Sequence, residues 1–176
     1  GLAPDNVRAA ADASLQRLGT DRIDLYYAHK DDPDTPLAET VAVFSELVDT
    51  GKVRAIGLSN FTADRVSEWI RIAREGGYHL PVALQPHFNL MERGFETDGQ
   101  RAVAEREGLG VFPYYSLAHG FLAGKYRDIA DADAPGASPR AEAKRVSARS
   151  ATSVASACHT TAISVVSMLA AIIAWL

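Results

Sequence analysis

Cysteine is almost absent: Cys158 is the only one in 176 residues. An internal disulfide and a cysteine-cluster metal site are therefore both excluded. This agrees with a reducing compartment, and the cytoplasm is the expected location. A basic cluster is also lacking. The 18 Lys and Arg are interspersed with 22 Asp and Glu, for a net charge of −4, which leaves no footprint for nucleic acid. No group of His, Cys and acidic residues has metal-ligand spacing. Long apolar runs are missing too. The most apolar stretch, residues 163–176, is broken by Ser164 and Ser167 and falls short of the ~20 residues of a membrane span. A buried or truncated barrel helix is thus expected there in preference to an anchor. At the start, Pro4, Asp5, Asn6 and Arg8 occupy the place of an apolar h-region, so no signal peptide is expected.

What the chain does have is a repeated unit. Ile23–His29, Arg54–Asn60, Val82–Asn89 and Gly110–Ser116 are each an apolar run of strand length ending in polar or aromatic groups. His29, Ser59, Gln85 and Tyr114 mark these ends at intervals of about 30, 26 and 29 residues, the length of one strand-plus-helix unit of a (β/α)₈ barrel. Between the strands run amphipathic helical patterns. Val7, Ala11, Leu15 and Leu18 precede Gly19, and Leu37, Val41, Phe44 and Val48 precede Gly51. Val66, Trp69, Ile70 and Ala73 precede Gly76-Gly77, and a further helix ends at Gly108. Pro36 is expected as the first residue of the second helix, with Thr35 as its cap. Alternation of this kind predicts an α/β fold with a parallel sheet covered by helices: about four central-to-late units of a TIM barrel.

The motifs themselves resemble those of the aldo/keto reductase superfamily. They are Asp21-Arg-Ile-Asp-Leu-Tyr-Tyr-Ala-His29, Gly51-Lys-Val-Arg-Ala-Ile-Gly-Leu-Ser-Asn60, Leu84-Gln-Pro-His-Phe-Asn-Leu90 and Tyr114-Tyr-Ser-Leu-Ala-His-Gly-Phe-Leu-Ala-Gly-Lys-Tyr126. The likeness is to the microbial branch near the potassium-channel β-subunit relatives. It covers residues 1–127. Residues 128–149 read as a loop or disordered link, and residues 150–176 form an uncharged apolar segment. The resemblance implies NADPH-dependent reduction of an aldehyde or ketone, with NADH not excluded. Of the family's catalytic tetrad only the histidine maps here, as His29. The tyrosine, lysine and aspartate belong to earlier strands, so this chain is expected to be a fragment without reductase activity of its own. Alternatives of another class are a non-catalytic binding or regulatory half-barrel module, or the product of a decayed gene.

The residue chemistry agrees with the implied roles. Ser59, Asn60 and Gln85 carry uncharged donors and acceptors that match a carboxamide. Tyr114 offers a flat face for stacking on a nicotinamide ring, and His29 can orient a substrate carbonyl. Tyr115, Ser116, Leu117, Gly120 and Lys125 fall in the implied phosphate-side loop, where glycine permits close backbone approach and lysine can meet phosphate. Many relatives have Ser-Pro where Tyr115-Ser116 stands, which puts the pyrophosphate contact of that loop in question. Each residue also has a plainer reading. A strand-end histidine is commonly structural, Ser-Asn is commonly a helix-entry turn, and Gln85 before Pro86 can satisfy strand-end backbone. Lys125 alone would be a solvated lysine.

Overall fold

The computed structural model describes residues 1–120, 122–123 and 173–174. In chain order the elements are α1 (Pro4–Leu18), β1 (Leu25–Ala28), α2 (Leu37–Asp49), β2 (Ile56–Ser59), α3 (Ala63–Gly76), β3 (Pro81–Gln85), α4 (Gly94–Thr97), α5 (Gln100–Glu107), β4 (Gly110–Val111) and β5 (Ile173–Ala174). Among the described residues the chain divides into two units. One holds Gly1–Pro86, Glu96–Phe112 and β5; the other holds His87–Phe95 and the described residues 113–120 and 122–123.

The first unit is a parallel sheet in the order β4-β3-β2-β1-β5, with α2 between β1 and β2 and α3 between β2 and β3. Parallel neighbours joined through helices are the repeating unit of a (β/α)₈ barrel, here present in part. Every residue of β2 is buried, as befits a strand covered on both faces. Residues 150–176, expected to include a barrel helix, lie outside the described residues except for β5, which pairs parallel with β1 through Leu25 and Tyr26.

The packing follows from side-chain alternation along β1. Tyr26 stacks on Phe44 of α2 at 5.7 Å between ring centroids. Trp69 of α3 takes Phe44 and Phe61 edge-on at 5.6 and 5.8 Å. Tyr27 points to the opposite face, where it is opposite Gly57. A Cβ at Gly57 would collide with the Tyr27 ring, so glycine is required there by a close approach rather than by a turn.

Helix ends agree with the sequence at Gly19 and Gly77, both left-handed caps with φ of 64° and 68°. Four expectations need correction. Pro36 is not the first residue of α2 but stands just before it. Thr35 is not the cap of α2: that helix starts at Leu37 without a side-chain cap, because the Thr35 hydroxyl donates to Asp32 Oδ2 instead, at 2.9 Å. The buried stripe of α1 is Val7, Ala11 and Ser14, whereas Leu18 is exposed. In α2, Leu47 rather than Val48 is buried; the chain turns back past Gly51 and Val53 N–H donates to Leu47 O.

Candidate functional site

Strand register brings four of the expected residues together in the first unit. Ser59 and Gln85 are paired across β2 and β3. Ala28 pairs with Leu58, so His29 leaves β1 beside Ser59. These are the carboxyl ends of parallel strands, where ligands of such sheets bind.

A short chain of hydrogen bonds ties the four together. The fully buried Ser59 hydroxyl donates to the Gln85 backbone carbonyl at 2.9 Å. Asn60 Nδ2 donates to the His29 carbonyl at 2.8 Å and to Ser59 Oγ at 3.1 Å. Asn60 has a left-handed backbone, with φ of 56°, a conformation that asparagine tolerates better than most residues. That twist lets its side chain reach back across the strand ends. It does not serve as the cap of α3: Thr62 does, its hydroxyl accepting from Arg65 N–H at 3.3 Å. The Gln85 side chain differs from its neighbours. The residue is 7% exposed, yet among the described residues no hydrogen bond is made by its amide. Its amide is not among the fully buried groups that lack a partner, so it faces solvent at the strand ends, open to hydrogen bonds from outside the protein.

The second unit holds Tyr114, Tyr115, Ser116, Leu117 and Gly120. The strand expected over 110–116 ends at Val111, since Pro113 has no N–H to continue a ladder. Tyr114 then forms an isolated parallel bridge with His87. Their rings stack at 5.0 Å and 10°, and Tyr115 stands edge-on to both, at 5.5 and 5.0 Å. Burial raises the Tyr114 hydroxyl above its ordinary pKa, and the neighbouring Tyr115 adds to the rise. His87 was not expected to carry a contact of this kind; among the described residues its buried Nε2 has no hydrogen-bond partner. Tyr115 (φ 56°) and Ala118 (φ 48°) are both left-handed, and the turn between them closes with Ala118 N–H donating to Tyr115 O at 2.8 Å. Asn89, which sequence reasoning passed over, secures this segment. Its Nδ2 donates to Tyr115 O at 3.0 Å, and its Oδ1 accepts from the N–H groups of Met91 and Glu92 at 2.8 and 2.9 Å. Lys125 lies outside the described residues.

No helix among the described residues is long and apolar enough to cross a membrane. The sequence profile of the Aldo/keto reductase family matches residues 1–176. An aflatoxin B1 aldehyde reductase (member 2) of Rattus norvegicus is 37% identical over 126 residues, covering 72% of this chain and 34% of the relative. Aldo-keto reductase family 7 member A3 of Homo sapiens is 36% identical over 126 residues, covering 72% and 38%. The L-glyceraldehyde 3-phosphate reductase of Escherichia coli K12 is 32% identical over 119 residues, covering 67% and 34%. The chain thus spans about a third of the length of these relatives. Three strand ends in register, their hydrogen-bonded polar cluster and the match along the whole chain lead to one assignment: the chain belongs to the aldo/keto reductase family.

Proposed function

We propose that this chain supplies the nicotinamide cradle and the substrate-facing histidine of an NADPH-dependent carbonyl reductase. The supporting observation is the Gln85 amide at the strand ends: the residue is largely buried, but its amide makes no hydrogen bond to a described residue and is not sealed from solvent. Its donors and acceptor match those of a carboxamide one for one. When bound, the cofactor would supply the hydride, and protein groups would position it and handle the product oxygen. In this reading Gln85, Ser59 and Asn60 hold the carboxamide and so select the ring face presented to substrate. His29, half-buried at the end of β1, donates a hydrogen bond to the carbonyl oxygen of an aldehyde or ketone and orients it. The residue pattern assigns Tyr114 to ring stacking, and Tyr115, Ser116, Leu117, Gly120 and Lys125 to the phosphate side. The preference for NADPH over NADH rests on the family likeness alone. The cytoplasmic location rests on the single cysteine, Cys158, which fits a reducing compartment.

The family's tyrosine, lysine and aspartate have no counterpart in the motifs of residues 1–127. The chain alone is therefore assigned binding and orientation, and steady consumption of NADPH with a reactive aldehyde is not expected. Titration with NADPH, followed by its fluorescence, tests the reading. Gln85→Leu is expected to weaken binding about tenfold, the equivalent of one lost hydrogen bond to a buried polar group. Equal affinity in Gln85→Leu, or no binding by the parent chain, would count against it.

A further inference from the structure

Arg65 sits in the first turn of α3, an unfavourable place for a cation because the helix dipole is positive there. What offsets this is a fork. Arg65 Nε and Nη2 donate to the two oxygens of Asp31 at 2.8 and 3.0 Å, and Nη1 donates to Glu68 at 2.8 Å. Both members of the Arg65–Asp31 pair are about three-quarters buried, at 27% and 24% side-chain exposure. Two parallel bonds in a sheltered setting fix an angle as well as a distance, which an exposed ion pair does not do. The hydrogen bonds that Arg65 donates to Asp31 also raise its guanidinium above its usual range.

Asp31 is two residues beyond His29. The preceding carbonyl, that of His29 itself, is held by Asn60 Nδ2. The segment from Asn60 to Arg65 therefore grips the His29 corner at two points, one before and one after Lys30. The far side of the same loop is anchored separately. Asp32 accepts from Leu2 N–H at 2.6 Å, from the Thr35 hydroxyl and from Asp34 N–H at 3.2 Å. Asn60 thus holds the His29 carbonyl directly, and Arg65 holds the loop two residues on.

We infer that Arg65 is a positioning residue: through its fork on Asp31 it sets the orientation of His29 relative to Ser59 and Asn60. A plain surface pair would contribute to stability and leave His29 alone. The ligand side of this inference rests on the cradle proposed above, whereas its effect on His29 does not.

The test compares Arg65→Gln and Arg65→Lys with the parent chain. The ring C–H signals of His29 are followed by NMR, with His79 as an internal control, alongside NADPH titration. His79 pairs with Asp49 on a different part of the surface. Arg65→Gln should move or broaden the His29 signals, leave those of His79 in place, and weaken NADPH binding about threefold to tenfold. Arg65→Lys keeps the charge but loses the fork, so it should shift His29 in the same direction; it also decides the matter should Arg65→Gln not fold. His29 signals unchanged in both variants would overturn the inference. So would a Lys variant indistinguishable from the parent chain. If the parent chain binds no NADPH, the cradle reading fails, and the His29 signals still decide the role of Arg65.

Discussion

The helix-facing side of the sheet and its strand ends are built on opposite principles. On the helix side, Tyr26, Phe44, Trp69 and Phe61 are all buried and meet ring to ring. Among the described residues that layer makes no use of hydrogen bonds: the Tyr26 hydroxyl and the Trp69 indole N–H have no partner there. At the strand ends, hydrogen bonds determine the arrangement, with Ser59, Asn60, Gln85 and His29 linked in sequence. The apolar layer tolerates unmet polar groups because area burial outweighs them. In the polar cluster the geometry depends on each bond. If the strand ends form the proposed cradle, stability and recognition lie in different parts of one sheet, and substitutions should separate them.

The largest effect is expected from Trp69→Ala. Loss of a fully buried indole, with two ring contacts, should lower unfolding free energy by about 3–5 kcal/mol, read from denaturant midpoints. A cost under ~1 kcal/mol would mean that the aromatic layer is not what holds the sheet. Gly57→Ala comes next, at about 1–3 kcal/mol, because its Cβ meets the Tyr27 ring. Combined with Tyr27→Leu, part of that cost should return, and a double-mutant cycle measures the coupling. Strict additivity would show that the ring moves aside. Ser59→Ala should cost about 1 kcal/mol while weakening NADPH binding more than Trp69→Ala does in whatever fraction stays folded. Equal losses of binding would erase the proposed division.

The smallest effect at neutral pH is none, and it emerges in alkali. Burial raises the Tyr26 and Tyr27 hydroxyls from 10 to about 12. Because the folded values lie above the unfolded ones, the stabilisation is complete below pH 10. It is lost progressively as pH rises from 10 through about 12. Tyr27→Phe should remove part of this slope, as followed by the tyrosinate absorbance and the thermal midpoint across that window.

Much of this was legible in the chain itself, for definite reasons. In α3, Val66, Trp69, Ile70 and Ala73 lie at helical spacing, and all four are buried. Ser59 and Gln85 could be placed near each other because both end apolar strands one barrel unit apart, and parallel register does the rest. The periodicity of α1 misled at Leu18, since nothing in a 3.6-residue stripe tells how far along its length a helix stays covered. The strand over 110–116 was overextended because alternation continues through Tyr114 while Pro113 interrupts the ladder. Least legible were the links formed across 31 and 34 residues, Asn60 to His29 and Arg65 to Asp31. Local pattern carries no information about which polar side chains will meet after folding.

The bond from Ser59 to Gln85 ends on the main chain. Position 85 can therefore exchange its side chain without releasing the scaffold that presents it. A residue attached in this way is a natural point of variation: a library at position 85 would sample ligand preference against a constant background. The corresponding library at position 60, whose side chain is itself a tie, would confound preference with shape.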